Sequence, residues 1–251
     1  MAPNLTVVIP VWDQHVAFLP RCLHSIAAEQ VPAHLIIVDN ASQVPVAVPP
    51  GARVVRVQER RTIGAARNAG LAEVGTPFVV FADADDEIAA GSLAHGLDLL
   101  HRDDRAVGVL GRSIVDEYGE RQRRGRTPSK SFLTTSHLAP RIARLFWLAA
   151  FQASITSTVL RTSCVRDAGA FADDDLGEDW RLAARMARRG PFICIDQPVR
   201  IYHRHHAAIR NASHRHVSPS EQRHAVCDDC ITDPAATRVA RLVASAIRRW
   251  G

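Results

Sequence analysis

Lysine is almost missing from this chain of 251 residues: Lys130 is the only one, so thirty of the 31 basic residues are arginine. A choice that uniform reads as coding bias. The excess of 31 basic over 26 acidic residues, +5 at pH 7, therefore says little about an anionic partner until a site explains it. Aromatics are also scarce, at 6%. A surface that binds nucleic acid by stacking bases needs more of them, interleaved with its basic residues. Long hydrophobic runs are absent, and the longest, Leu145 to Phe151, falls far short of the roughly 20 residues of a membrane span. The first residues, Met1-Ala2-Pro3-Asn4, lack the basic and apolar regions of a signal peptide. The five cysteines are odd in number and mostly irregularly spaced, which argues against a secreted disulfide framework. These absences predict a cytoplasmic chain without spans. What is present, 47% hydrophobic and 23% charged residues, is enough for a packed core.

The first half alternates two periods. Leu5 to Pro10, Leu35 to Val38, Arg53 to Val57, Phe78 to Ala82 and Ala106 to Leu110 are short β-rich runs. Between them, Ala17 to Glu29, Gly64 to Glu73 and Gly91 to Arg102 carry apolar residues at helical spacing. This rhythm predicts an α/β fold with an open, twisted, mostly parallel sheet and helices on both faces. Later, helices are expected at 140–150, 178–189 and 235–250, and strands at 157–160 and 192–195. The arginine-rich stretch 119–131 is expected to be a polar loop.

Ligands of an open parallel sheet bind beyond the carboxyl ends of its strands. Asp39 and Asp83 stand there, and Asp83-Ala84-Asp85-Asp86 crowds three carboxylates into four residues. They repel unless a cation or a donor-rich ligand sits among them, and a hard divalent ion suits oxygen ligands. The competing explanation is a helix N-terminus near Glu87, capped by Asp85 or Asp86.

The motifs occur in a telling order. Val7-Val8-Ile9-Pro10-Val11-Trp12 is followed by Ile36-Ile37-Val38-Asp39-Asn40-Ala41-Ser42. Then come Gly64-Ala65-Ala66-Arg67-Asn68-Ala69-Gly70 and Phe81-Ala82-Asp83-Ala84-Asp85-Asp86. Downstream stand Gly177-Glu178-Asp179-Trp180 and Tyr202-His203-Arg204-His205. In this order and spacing the chain resembles the family 2 glycosyltransferases of the GT-A fold, over roughly residues 5 to 210.

The resemblance implies one catalytic domain at 1–210, with a nucleotide-binding half at 1–110 and an acceptor-side half at 111–210. A carboxyl-terminal appendage fills 211–251. It implies an inverting, metal-dependent transfer of a sugar from a nucleoside-diphosphate donor, by family habit a UDP-sugar, to a hydroxyl acceptor that is a glycan, a lipid-linked sugar or a small molecule. Asp179 is the implied general base, and its alternative is a first-turn helix carboxylate. Pro10, Val11, Trp12, Asp39, Arg67, Asp83 and Ala84 are the implied donor contacts. Asp85 and His205 are the implied ligands of Mn²⁺ or Mg²⁺, with Asp86 an alternative to Asp85. The chain departs from the family pattern at Asp13, His203 and the stretch 206–208, which leaves His203 or His206 open as the histidine ligand.

Rival functions are a catalytically silent nucleotide-sugar binder, a nucleic-acid-binding protein and a nucleotidyltransferase. The last needs a Gly-rich loop after the first strand, where this chain has Pro10-Val11-Trp12-Asp13. Cys227-Asp228-Asp229-Cys230 lacks a second pair for zinc and is expected in an exposed tail. The last helix places Val239, Leu242, Val243, Ala246, Ile247 and Trp250 on one face and arginines opposite. That pattern fits a peripheral membrane contact, on the inner face of the membrane, or a homodimer.

Overall fold

The computed structural model describes residues 3–119, 121–124, 154–175, 177–205, 219–234, 236 and 238–250. The helix expected at 140–150, and His206, lie outside the described residues.

Strand β1 (Leu5–Val11) is buried along its whole length, as a β-branched run covered on both faces must be. It pairs in parallel with β2 (Ala33–Asn40) on one side and β4 (Phe78–Phe81) on the other, and β2 pairs in parallel with β3 (Arg53–Val57). Pro10 is tolerated in this central strand because the pairing with β4 ends at Val8, before the position where proline's missing N–H would be needed.

The sheet continues through β8 (Leu160–Arg161), β6 (Gly108–Glu117) and β9 (Phe192–Arg204), and ends on β5 (Glu87–Ile88); β7 (Arg121–Arg124) pairs beside β6. The short β8 is antiparallel to both β4 and β6, and β6 runs parallel to β9. Among the described residues six strands, β1, β2, β3, β4, β6 and β9, therefore share one direction, and three short ones oppose it. All six carboxyl ends fall on one edge. The arginine-rich stretch expected as a loop supplies β7, because its backbone completes the edge of β6.

Alternate strand residues feed two cores. Val7, Ile9 and Val11 join Leu19, Cys22 and Ile26 of α1 (Leu19–Ala28) and Leu93, Leu97 and Leu100 of α3 (Ser92–Arg102) on one face. Val8, Val38 and Phe81 join Ala66 and Leu71 of α2 (Ile63–Ala72) and Leu182, Ala183 and Met186 of α5 (Glu178–Arg189) on the other. A short α4 (Thr162–Asp167) adds Val165 to this second core. Gly70 is where α2 meets β1: a Cβ there would lie 2.3 Å from Val8 Cγ1, so only glycine lets the helix so close.

Helices α6 (Pro219–Thr232) and α7 (Arg238–Trp250) belong to that second core as well. Val226, Cys227, Cys230 and Ala244 are fully buried within it. The cysteines expected in an exposed tail are thus interior packing residues, because ion pairs draw α6 onto α5. Asp229 accepts from Arg181 and Arg185, and Asp233 from Arg188 and Arg189. Helix α7 rests on this pair through Arg241, Ala244 and Arg248, with Arg241 donating to the Asp233 carbonyl and Arg248 to Asp228. Its Leu242 stays 63% exposed. Among the described residues no helix is long and apolar enough to cross a membrane.

Candidate active site

The shared strand direction delivers the sequence motifs to one place. Trp12 follows β1, Asp39 lies in β2, Asp83 to Asp86 follow β4, Asp116 lies near the end of β6 and His205 follows β9. Helix α5 precedes β9 and opens at the same edge, with Gly177 in the left-handed conformation (φ 80°) turning the chain into it.

The three crowded carboxylates are separated by their partners. Asp83 pairs with Arg67 and lies 3.8 Å from Arg200 Nη1. Asp86, only 1% exposed, accepts from the His203 backbone N–H at 3.0 Å and faces Arg200 at 3.6 Å. Burial pushes its pKa well up, against Arg200 and with the nearby charges of Asp85 and Asp83. Asp85 Oδ2 lies 2.8 Å from His205 Nε2 and 3.8 Å from His15 Nε2, while the Asp85 carbonyl accepts from Arg21 at 2.6 Å. Burial raises the Asp85 pKa, but the hydrogen bond to His205 and the two histidine charges bring it below its ordinary value. The helix cap considered for Asp85 and Asp86 does not exist, because Glu87–Ile88 is strand β5 and the next helix begins at Ser92.

The histidines divide in the same way. His203, the departure from the family pattern, is held by carboxylates on both sides: Nδ1 is 2.8 Å from Asp116 and Nε2 2.6 Å from Glu87. His205, two residues on, turns to Asp85. Among the described residues, His15, Asp85 and His205 form the group whose ligand atoms lie within 4.8 Å of one another. A carboxylate oxygen beside an imidazole nitrogen, partly buried at a strand edge, fits a divalent cation.

The residues that the resemblance implies as donor contacts are tightly engaged. Asp39, 4% exposed, accepts from the Ser42 backbone N–H at 2.9 Å and from Arg56. Pro10 and Val11 are buried, and the Val11 side chain belongs to the core, which leaves only their backbone to face a ligand. Ala84 is also buried. Trp12 is 7% exposed and covered by the Arg60 guanidinium, 3.4 Å from the ring centre. Arg60 is exposed, so its guanidinium rather than the indole meets solvent here. Arg56 and Arg60 carry no sequence signal beyond lying on and after β3.

Arg67 does not point into solvent. It is 3% exposed and bridges Asp83 and Glu178. Burial would lower its pKa, but Asp83, Glu178 and Asp179 raise it further. Glu178 is pushed up to about 7 by burial and by Asp179, against the opposing charge of Arg67. Asp179, less buried than Glu178, accepts from the Trp180 backbone N–H at 2.7 Å through Oδ1, within the first turn of α5.

The sequence model of the family described as glycosyl transferase family 2 matches residues 6–162. Among solved structures, S. aureus TarS 1-349 in complex with UDP-GlcNAc is similar at 16% identity, with a TM-score of 0.69, covering 98% of this chain and 70% of that one. The same protein in complex with UDP gives a TM-score of 0.64 at 15% identity, covering 98% and 69%. A further S. aureus TarS structure gives 0.66 at 15% identity, covering 99% of this chain and 44% of that one. At these identities the likeness is one of fold. No curated protein sequence matches.

Proposed function

The chain belongs to glycosyl transferase family 2, and from that premise we propose that it moves a sugar from a nucleoside-diphosphate donor, a UDP-sugar, onto an acceptor hydroxyl with inversion at the anomeric carbon. The observation that carries this reading is the convergence of Asp39, Asp83, Asp85, His205 and Asp179 on one sheet edge. The solved relatives with UDP and UDP-GlcNAc bound support the choice of donor.

In this reading the base lies near Asp39, Arg56 and Arg60, and the backbone of Pro10 and Val11 borders it. Asp83 and Ala84 border the ribose and diphosphate. Asp85 and His205 hold a divalent cation, Mn²⁺ or Mg²⁺, which when bound supplies Lewis-acid charge to the leaving diphosphate. Asp179 takes the proton of the acceptor hydroxyl as its oxygen bonds to the anomeric carbon. The bond from that carbon to the diphosphate oxygen breaks, and its electron pair leaves with the diphosphate. Arg67 serves this chemistry from beneath, by fixing Asp83 on the donor side and Glu178, next to Asp179, on the acceptor side.

A second reading concerns α7. Leu242 and Ala246 are exposed on the side turned away from Ala244, and Arg238 and Arg249 beside them are exposed too. An apolar strip flanked by cations suits an anionic membrane surface.

A panel of nucleotide sugars assayed by thermal shift tests the donor assignment, because a ligand of the native state raises apparent stability. A UDP-sugar is expected to raise the melting temperature with Mn²⁺ and to lose most of that effect in EDTA. Stabilisation by no nucleotide sugar would overturn the proposal.

A further inference from the structure

We propose that His15 is a third ligand of the cation site, which makes that site a two-imidazole, one-carboxylate centre. This rests on the glycosyl-transfer reading above. The Nε2 atoms of His15 and His205 face the same Asp85 oxygen, at 3.8 and 2.8 Å. Ligand atoms sharing an ion with bonds of about 2.1 Å stand roughly 3–3.5 Å apart. Movements well under the length of one bond bring the two spacings to that range.

The local structure holds His15 in this position. It closes the 3-10 turn Asp13–His15, directly after β1, and is 5% exposed. Its backbone N–H donates to the Trp12 carbonyl at 2.6 Å, and its own carbonyl accepts from Phe18 at 3.0 Å. Asp13, a departure from the family pattern, accepts from the Val44 backbone N–H at 3.1 Å and also from Gln43, which ties the turn to the segment that follows β2. Trp12 and Phe18 wall the His15 ring at 5.3 and 6.4 Å, and Phe18 also packs on His205 at 4.5 Å. The two imidazoles meet edge to face, 5.8 Å apart. They are aimed before any ion arrives.

Two imidazoles change which ion is preferred. Mg²⁺ favours oxygen ligands and keeps its waters, whereas imidazole nitrogens suit first-row transition ions. The site is therefore selective for Mn²⁺ or Co²⁺ over Mg²⁺.

The test uses Co²⁺ alone, added to the full chain without nucleotide. Visible absorption and calorimetry are followed in the wild type and in His15→Phe, Asp85→Ala and His205→Ala. His15→Phe keeps a ring between Trp12 and Phe18 while removing the nitrogens; His15→Gln is the second variant if the larger ring disturbs folding. The proposal expects wild type to bind Co²⁺ more tightly than Mg²⁺. It expects His15→Phe to lose about 10-fold or more in Co²⁺ affinity, with a changed absorption band, since even outer-shell partners cost that much. Wild-type affinity and spectrum in both His15 variants, with loss in Asp85→Ala and His205→Ala, would overturn the third ligand and leave the cation site standing. Wild-type binding in Asp85→Ala would overturn the cation site itself.

Discussion

Arg67 and Glu178 form an ion pair in which the side chains are only 4% and 6% exposed. Through it α2 and α5 are joined under the candidate site, and Asp83 completes the bridge. Removing one partner of a buried pair leaves an uncompensated charge. Arg67→Met is expected to cost about 3–5 kcal/mol in urea unfolding. Arg67→Lys is expected to recover only part of that, because an ammonium is a point charge that cannot fork to two carboxylates. A loss in Arg67→Met no larger than that of an exposed arginine would contradict the bridge.

The raised pKa of Glu178, about 7, makes stability depend on pH. The native state holds the proton over a range where the unfolded chain has released it. The stability from this group is complete below about pH 4 and is lost as pH rises through about 7. Glu178→Gln has no proton to lose there. Its stability relative to wild type is expected to improve by up to about 3 kcal/mol between pH 4 and 8. Denaturant unfolding at several pH values checks this, and a constant difference would place the Glu178 pKa in the ordinary range.

The proposed function gives Asp179 and Glu178 separate tasks. Asp179→Asn preserves the hydrogen bond to the Trp180 backbone through its side-chain oxygen but takes no proton. Donor affinity is expected to stay within a few-fold of wild type while transfer falls about 10²–10⁴-fold. Steady-state rates together with donor titration separate the two. Wild-type turnover would assign the base elsewhere and leave Asp179 as a first-turn helix carboxylate.

The exposed strip on α7 predicts sedimentation with anionic vesicles, weakened by salt. Leu242→Glu places a negative charge on that strip without touching a buried contact, since Leu242 is 63% exposed. It is expected to abolish sedimentation and leave the melting temperature unchanged. Equal recovery of wild type and variant with the vesicles would contradict the membrane reading.

Much of this architecture was legible from the order of residues. The β-branched runs at Leu5, Leu35 and Phe78 announce the central strands, and the charges that end them fall at the sheet's carboxyl edge. Helix 178–189 matches its expected limits because its apolar residues keep a strict helical period and glycines flank it. What stayed hidden depends on partners distant in sequence. Strand β5 has two residues, too few to carry a period, and exists because β9 pairs with it; the strand expected at 157–160 is instead β8, Leu160–Arg161, set by its pairing with β4 and β6, while Ser157 takes a positive φ of 61°. Helix α6 carries only a short apolar stripe, Val226, Cys227 and Cys230, among polar residues, and is fastened by Asp229 and Asp233 to arginines of α5. Crowding in Asp83-Ala84-Asp85-Asp86 suggested a cation for the whole cluster. The fold instead gives Asp83 and Asp86 to Arg67, Arg200 and the His203 backbone, and leaves Asp85 with the histidines. His15 carried no signal, since nothing in Asp13-Gln14-His15 tells which way a three-residue turn aims its last side chain.

The most direct test of transfer is proton NMR of donor turnover, with Mn²⁺ and a panel of α-linked UDP-sugars and hydroxyl acceptors. Release of UDP together with a β-linked product is expected from the first turnovers. An α-linked product, or donors left intact across the whole panel, would contradict inverting transfer.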